Sequence, residues 1–559
     1  MRILGLNGVF HDPAAALVMD GEVSAAAEEE RFSRRKHGKA PVPFSTWELP
    51  EAAIGWCLEQ GGIGIEDLDA VAYSYDPSLA PAPGRDITAG QWEGLRTLFA
   101  ERAGLFLRAA FPGFDPQRLR HVPHHVAHAA SGYLAAPNGR DSAVMVIDGR
   151  GERWSYLAGR ARDGDLEVLA TQELPHSLGL VYEELTAHLG FRRSSDEYKV
   201  MAMASYGTPS FLDEFRAGIA TTRGGGFRVE PIDWDAFAPR LGRGGGDWQP
   251  VHADLAATVQ RRLEEVLIEL ATDLQRRTGA NVLTMAGGVA LNCVANSRLL
   301  RETPFEDIWV QPAAGDSGTA LGAAMYVAHE LGDRVRPMRT AALGRGWTDA
   351  EIADWLTTAG VPFERSGDVA EEVAETLAGD GVVGWFQGRS EYGPRALGHR
   401  SLLADPRRVE NLERMNDIKG REQFRPIAPM VLAERAAEIF SDGPLPSPYM
   451  LFTHGVRRPW LERIPAVVHV DGTVRIQTVD AEDEPLMHRA IAAFEERTGV
   501  PVVVNTSLNT AGRPMVDDPR DALELFGSAP VDLLAIGPFV VRRAALFAGA
   551  ERGQVAVGL

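Results

Sequence analysis

The segment RHVPHHVAHAASG, Arg120–Gly132, carries four of the chain's fourteen histidines. Pro123 suits the first turn of a helix. It places His121 ahead of that helix and His124, His125 and His128 on it. His124 and His128 stand four apart and share one face, while His125 points about 100° away. Neutral imidazoles so spaced suit a metal ion, although a lone pair is more often a surface or capping feature. Two aspartates add weight. Asp148 closes the apolar run SAVMVI, and Asp316 follows DIWVQP. Ligand groups in α/β sheets gather beyond the carboxyl ends of strands. Four such donors form a mixed nitrogen and oxygen set suited to Fe(II), Mn(II) or Zn(II), with positions left open. Whether they converge depends on the elements that carry them.

Those elements read as a repeat. The chain opens RILGLNGVFHDPAAALVMDGEVSAAAEEERF, which predicts strand, Asn-Gly turn, strand, Asp-Gly turn, strand. Near residue 142 the pattern returns in SAVMVIDGRGERWSYLAGRARDGDLEVLATQEL. Helical material follows each meander, so an internal duplication is expected. Two similar α/β halves, each with a small-residue turn after its first strand, describe the actin-like ATPase (RNase H-like) architecture. NVLTMAGGVALNC predicts a buried strand running into Gly287-Gly288, then a helix from about Ala290. Glycines there let backbone N–H groups approach an anion.

The whole chain constrains the partners. Its 559 residues carry a formal charge of −20, the opposite of a general nucleic-acid surface. Two distant cysteines, Cys57 and Cys293, are no disulfide framework and fit a reducing cytoplasm. The N-terminus shows no signal-peptide pattern, and no apolar run approaches the ~20 residues of a membrane span. Only four lysines, at 36, 39, 199 and 419, stand among 57 basic residues. Survivors of so strong a drift to arginine are candidates for positions that need a compact ammonium.

Within this acidic chain the stretch from Arg389 to Arg425 is densely basic, with Arg395, Lys419 and Arg425 interleaved with Gly, Pro and apolar residues. Arginine forks and lysines in such a setting suit polyanionic phosphates. The boundary between domains is expected within Leu331–Trp347, where Gly, Pro and Arg break the pattern, giving units 1–340 and 341–559. Thr221–Trp248 holds two Gly-rich blocks around aromatic residues, either a lid or an insertion.

Long ordered motifs then carry a resemblance. NGVFHDPAAAL, AAEEERFSRRKH, HHVAHAASGY, VIDGRGE, SLGLVYEELT, DEYKVMAMASYG, AGGVALN and AGDSGTALGAA are similar to the N-terminal motifs of the NodU/CmcH carbamoyltransferases. GPRALGHRSLLADPR, KGREQFRPIAP and VNTSLNTAGRP are similar to the C-terminal ones. The resemblance implies a TsaD-like domain fused to a YrdC-like domain. The second would form carbamoyl-adenylate from carbamoyl phosphate and Mg-ATP, using Arg395, Lys419, Arg425, Arg475, Asn505 and Ser507. The first would bind the adenylate through Lys199, Gly287, Gly288 and Asn292 and pass the carbamoyl group to a hydroxyl. It implies iron held by His124, His128, Asp148 and Asp316, with His11, Asp12 and Lys36 as catalytic residues. His11 is the candidate base, because an imidazole titrates near neutral pH. A hydroxyl of an antibiotic sugar or polyketide is the expected acceptor. A tRNA-modifying threonylcarbamoyl-type transferase and an actin-fold sugar kinase or sensor are the alternatives.

Overall fold

The two meanders turn in the same way. At Asp20-Gly21 φ is 50° and 78°, and at Asp163-Gly164 it is 55° and 96°. Positive φ at both central residues is what a tight type I′ hairpin demands. In this computed structural model, which describes residues 1–38, 48–81 and 91–548, the chain divides into two compact units, Met1–Arg339 and Thr340–Leu559. Lys39 lies outside the described residues.

The first unit holds two five-stranded sheets. In the first, β1 (Arg2–Asn7), β2 (Ala14–Met19) and β3 (Glu22–Glu28) form the antiparallel meander. β4 (Ala70–Tyr73) and β5 (Leu119–His121) then add parallel to β1, giving the order β3-β2-β1-β4-β5. The second half repeats this with β6 (Ser142–Ile147), β7 (Trp154–Arg162) and β8 (Asp165–Glu173). After a ribbon of β9 (Ile219–Thr222) and β10 (Gly226–Val229), β11 (Val282–Ala286) and β12 (Asp307–Val310) add parallel to β6. The order is β8-β7-β6-β11-β12, the first sheet over again. This doubled topology is the actin-like ATPase architecture. β1 and β6 are flanked on both sides and are buried almost throughout, as their continuous apolar runs require.

Each half ends in a helix at the same topological place. His124–Tyr133 follows β5, and Ser317–Glu330 follows β12. The two pack closely because small residues line the second. A Cβ on Gly322 would lie 1.8 Å from the Ala127 carbonyl oxygen, and one on Gly5 would lie 1.8 Å from that of Ala320. The same logic holds at Gly287, where φ is 94° and a Cβ would lie 2.2 Å from the Ile147 oxygen. That glycine lets the end of β11 press against the end of β6. The expected helix from Ala290 begins later. Gly288–Leu291 forms a 3-10 turn, and the α-helix runs Cys293–Glu302.

The Gly-rich stretch after Thr221 is held against its own half of the unit. Leu241 N–H donates to the His188 carbonyl (3.0 Å) and Gly244 N–H to that of Gly190 (2.8 Å). The Trp234 indole donates to Glu184.

The second unit is also α/β, built on one mixed eight-stranded sheet. Val383–Phe386 runs parallel to Leu533–Ile536 and antiparallel to Arg400–Ala404. Val502–Ser507 pairs antiparallel with both Arg400–Ala404 and Ala428–Leu432. Its core is apolar around fully buried Trp385, Phe386 and Phe494. Among the described residues no helix is long and apolar enough to cross a membrane.

The helix contact yields a prediction. Gly322→Ala forces a methyl into a carbonyl with no room to yield and should cost about 1–3 kcal/mol, as overpacking does. Thermal unfolding of the variant should show a lowered Tm, and an unchanged Tm would mean the two helices are not so tightly engaged.

Candidate metal centre and transfer site

Four side chains meet at the N-terminal ends of the two paired helices. His124 opens its helix, with Pro123 as the N-cap and the Glu152 carboxylate accepting the His124 N–H (2.8 Å). His128 lies one turn on. Asp316 is the N-cap of the second helix, and Asp148 follows β6. The Asp148 turn is held from behind. The Ser177 hydroxyl donates to the Gly149 carbonyl (2.7 Å), and Gly179 lets its helix approach where a Cβ would meet Gly149 at 2.7 Å.

The donor atoms of His124, His128, Asp148 and Asp316 all lie within 4.8 Å of one another, and all four residues are buried. His124 Nε2 stands 3.6 Å from Asp148 Oδ2 and 3.6 Å from Asp316 Oδ1. His128 Nε2 stands 3.9 Å and 3.5 Å from the same oxygens. These spacings exceed ordinary hydrogen bonds. They are close to the about 3.0–3.4 Å between ligand atoms that share an ion about 2.1 Å away.

Three of the four donors are aimed by a backbone partner. His124 Nδ1 faces the Ser74 carbonyl (3.2 Å), which leaves Nε2 to the cluster. Asp148 Oδ1 accepts the Gly288 N–H (2.9 Å), which leaves Oδ2. Asp316 Oδ2 accepts the His11 N–H (3.0 Å), which leaves Oδ1. Such outer contacts fix ligand orientation in metal sites. Both histidine Nε2 atoms are buried without a hydrogen-bond partner. Buried polar atoms are rarely left so, and a cation at the centre of the four would satisfy both. The residues therefore fit a divalent metal. Burial alone would push the Asp148 carboxyl up, but the His124 and His128 imidazoles hold it far below the carboxylate range. Burial likewise opposes charge on His124, and the two carboxylates outweigh it and raise its pKa. His125 points elsewhere, as its position on the helix predicts. Its ring packs against Gly151, where a Cβ would meet Nδ1 at 2.6 Å, and burial drives its pKa down to about 3.

Beside this cluster lies a second one. His11 Nδ1 is 3.0 Å from Asp12 Oδ2, His37 Nδ1 is 2.9 Å from Asp12 Oδ1, and His37 Nε2 is 2.7 Å from Ser195 Oγ. Burial raises the Asp12 carboxyl, but the two imidazoles hold it well below the ordinary range. Lys36 points at buried Glu30, 3.1 Å from both carboxylate oxygens. Lys36 stands out in the sequence by its rarity, whereas His37 beside it carries no signal beyond its place in the same motif. Lys199 pairs with Asp196 (3.3 Å) and stacks over Phe191. Asn292 caps its helix by accepting the Ala295 N–H and pairs both amide atoms with Gln260. Its side chain is thus engaged inside the fold.

In the second unit the structure brings Lys419 and Ser507 into direct contact, and Asn505 lies on the same strand, Val502–Ser507. Lys419 Nζ donates to the Ser507 carbonyl (2.5 Å) and hydroxyl (3.1 Å) and to Asn509 Oδ1 (2.7 Å). Asn505 donates to the carbonyl of Ala396, next to Arg395, and to Gln477, two residues beyond Arg475. The Arg425 carbonyl accepts from Asn416 on the Lys419 helix, and the Arg425 guanidinium pairs with Glu422 (3.6 Å).

Family models described as Carbamoyltransferase N-terminus and Carbamoyltransferase C-terminus match residues 2–80 with 110–325, and 374–543. The chain belongs to the carbamoyltransferase family. Its matched stretches contain all four cluster residues and all six phosphate-site candidates. This carbamoyltransferase is 38% identical to nodulation protein NolNO of Sinorhizobium fredii, over 96% of this chain and 80% of that protein. It is 39% identical to nodulation protein U of Bradyrhizobium diazoefficiens, over 94% and 95%. Nodulation protein NolO of the same organism is 39% identical over 75% and 78%. Among solved structures, full-length HypF in its phosphate- and nucleotide-bound form covers 60% of this chain with 14% identity and a TM-score of 0.37, too distant to carry weight.

The geometry makes a specific demand on metal content. Purified carbamoyltransferase should hold one first-row metal ion per chain by elemental analysis. His124→Ala and Asp148→Asn should lose it. His11→Ala should keep it, because the His11 backbone N–H that Asp316 accepts is retained in the variant. Retention of metal by His124→Ala would remove the assignment.

Proposed function

We propose that this carbamoyltransferase works in two steps, one in each unit. The second unit takes carbamoyl phosphate, water and ATP to carbamoyl-adenylate, phosphate and pyrophosphate. The first unit transfers the carbamoyl group from the adenylate to a hydroxyl, releasing AMP. The observation that carries this reading is the four-donor cluster linked through Asp316 to the backbone of His11, in a chain of this family.

In the second unit, Arg395, Lys419, Arg425 and Arg475 would bind the phosphates, and Asn505 and Ser507 would orient them. Preorganised cations stabilise the charge that shifts between phosphoryl oxygens. In the first unit the turn Gly287-Gly288 would approach the adenylate, with Lys199 close to its charge. His124, His128, Asp148 and Asp316 would hold iron(II), or manganese or zinc. A cation there would polarise the carbamoyl carbonyl as a Lewis acid. His11 Nε2 would take the proton of the attacking hydroxyl. Asp12 accepts at Nδ1 and so keeps Nε2 unprotonated. Lys36, paired with Glu30, would secure the loop that brings His37 to Asp12.

Arginine-rich composition points to a sugar or polyketide hydroxyl of secondary metabolism. Similarity to nodulation proteins along nearly the whole chain makes an oligosaccharide hydroxyl the second class to test. The −20 charge disfavours a tRNA acceptor. A screen of such alcohols with ATP and carbamoyl phosphate, read as a mass gain of one carbamoyl group, tests the reading.

The division of labour is testable by variants. Lys419→Ala should abolish pyrophosphate release yet still transfer from supplied carbamoyl-adenylate. His11→Ala should release pyrophosphate normally while transfer falls by about 10²–10⁴-fold, the range of a positioned base. Loss of both activities in either correctly folded variant would contradict the two-step scheme.

A further inference from the structure

A single carboxylate between two imidazoles has a definite consequence for both rings. An ionised carboxylate accepts hydrogens and has none to give. With Asp12 Oδ2 at 3.0 Å from His11 Nδ1 and Oδ1 at 2.9 Å from His37 Nδ1, both Nδ1 atoms must carry the hydrogen. In its neutral form each ring then carries no hydrogen on Nε2. That of His37 is met by the Ser195 hydroxyl at 2.7 Å, which donates to it. The two rings lie with centroids 4.4 Å apart.

The backbone has been bent to make this arrangement. Asp12 and His37 both have positive φ, 44° and 65°, a region that few non-glycine residues enter, aspartate and histidine more readily than most. Three anchors hold the bends. The Asn7 amide donates to the carbonyls of His11 (2.6 Å) and Asp12 (3.0 Å). Buried Glu30 accepts the His37 N–H (2.8 Å). On the far side Ser194, at φ 52°, donates its N–H to Glu197 (2.7 Å) and its hydroxyl to Glu183 (2.9 Å), which fixes the loop bearing Ser195.

We propose that His37 and Ser195 are positioning residues for carbamoyl transfer, a chain Ser195–His37–Asp12–His11 that fixes the rotation and tautomer of His11. Without His37, one carboxylate oxygen loses its partner and Asp12 is free to turn away from His11. His11 would then divide between two tautomers, only one of which leaves Nε2 able to accept a proton. The role requires no charge change on either ring. It rests on the proposed transfer reaction for its catalytic meaning, but the tautomer itself is independent of that reading.

The test uses the full-length protein. With 15N-histidine labelling, ring nitrogen shifts report the tautomer directly, and the His11 signal is identified by its loss in His11→Gln. In the parent protein His11 and His37 should both be Nδ1–H tautomers. His37→Phe should spread His11 over both tautomers. With supplied carbamoyl-adenylate and glycerol as the probe alcohol, AMP release should then fall about 10–100-fold in kcat, the scale on which supporting partners act. KM for the adenylate should stay unchanged. His37→Asn, whose amide N–H replaces Nδ1, should restore most of the rate and the tautomer. A His11 that keeps one tautomer in His37→Phe overturns the proposal, as does a loss of rate that His37→Asn fails to repair. Should the parent protein release no AMP with glycerol, the tautomers alone decide the role of His37, and the alcohol screen decides the carbamoyl-transfer reading.

Discussion

Two carboxylates buried 3.5–3.9 Å from the same two imidazole nitrogens form an arrangement that water does not stabilise. Desolvation penalises each charge, and the two aspartates repel one another. That charge raises the pKa of the His124 imidazole against its burial, and a divalent cation answers it better. The rest of the first unit is built to keep these four groups together. One oxygen of each aspartate is held by a backbone N–H, one nitrogen of His124 is turned to a carbonyl, and the helices that carry three of the four ligands touch where Gly322 has no side chain.

The duplication explains why the ligands arrive in pairs. The two helices occupy the same place in their respective halves, so a near-twofold relation brings their N-terminal ends together. One end supplies His124 and His128, and the other supplies Asp316. Asp148 comes from the end of β6, the second half's counterpart of β1. The equivalent turn after β1, residues 8–13, bears His11 and Asp12, as the turn after β6, residues 148–153, bears Asp148. The duplicated turns thus supply one ligand of the cation pocket and the histidine–aspartate pair beside it. Because Asp316 also accepts the His11 N–H, the two clusters cannot shift independently.

Much of this was legible in the residues. Asp-Gly turns between apolar runs announced both meanders, and the 3.6-residue period separated His125 from the His124 and His128 face. The convergence of His124 with Asp316, nearly two hundred residues apart, was not legible from spacing, since only the β5–helix and β12–helix crossings bring them together. Local competition hid other features. Asn292 reads as a polar residue of a phosphate loop, yet its amide is taken up by helix capping and Gln260. Lys36 stood out by composition, yet its ammonium is turned to Glu30 and it is His37 that faces Asp12. Positive φ at Asp12 and His37 leaves little trace in sequence, because neither is glycine.

The central claim is that one cation sits among two imidazole nitrogens and two carboxylate oxygens. X-ray absorption at the K-edge of the metal found in the purified full-length protein tests it most directly. The account predicts a shell of nitrogen and oxygen atoms at about 2.0–2.2 Å, with the outer-shell scattering of two imidazole rings. It also predicts that this imidazole signature disappears in His124→Ala. A sulfur shell, or an oxygen-only shell without imidazole scattering, would contradict it.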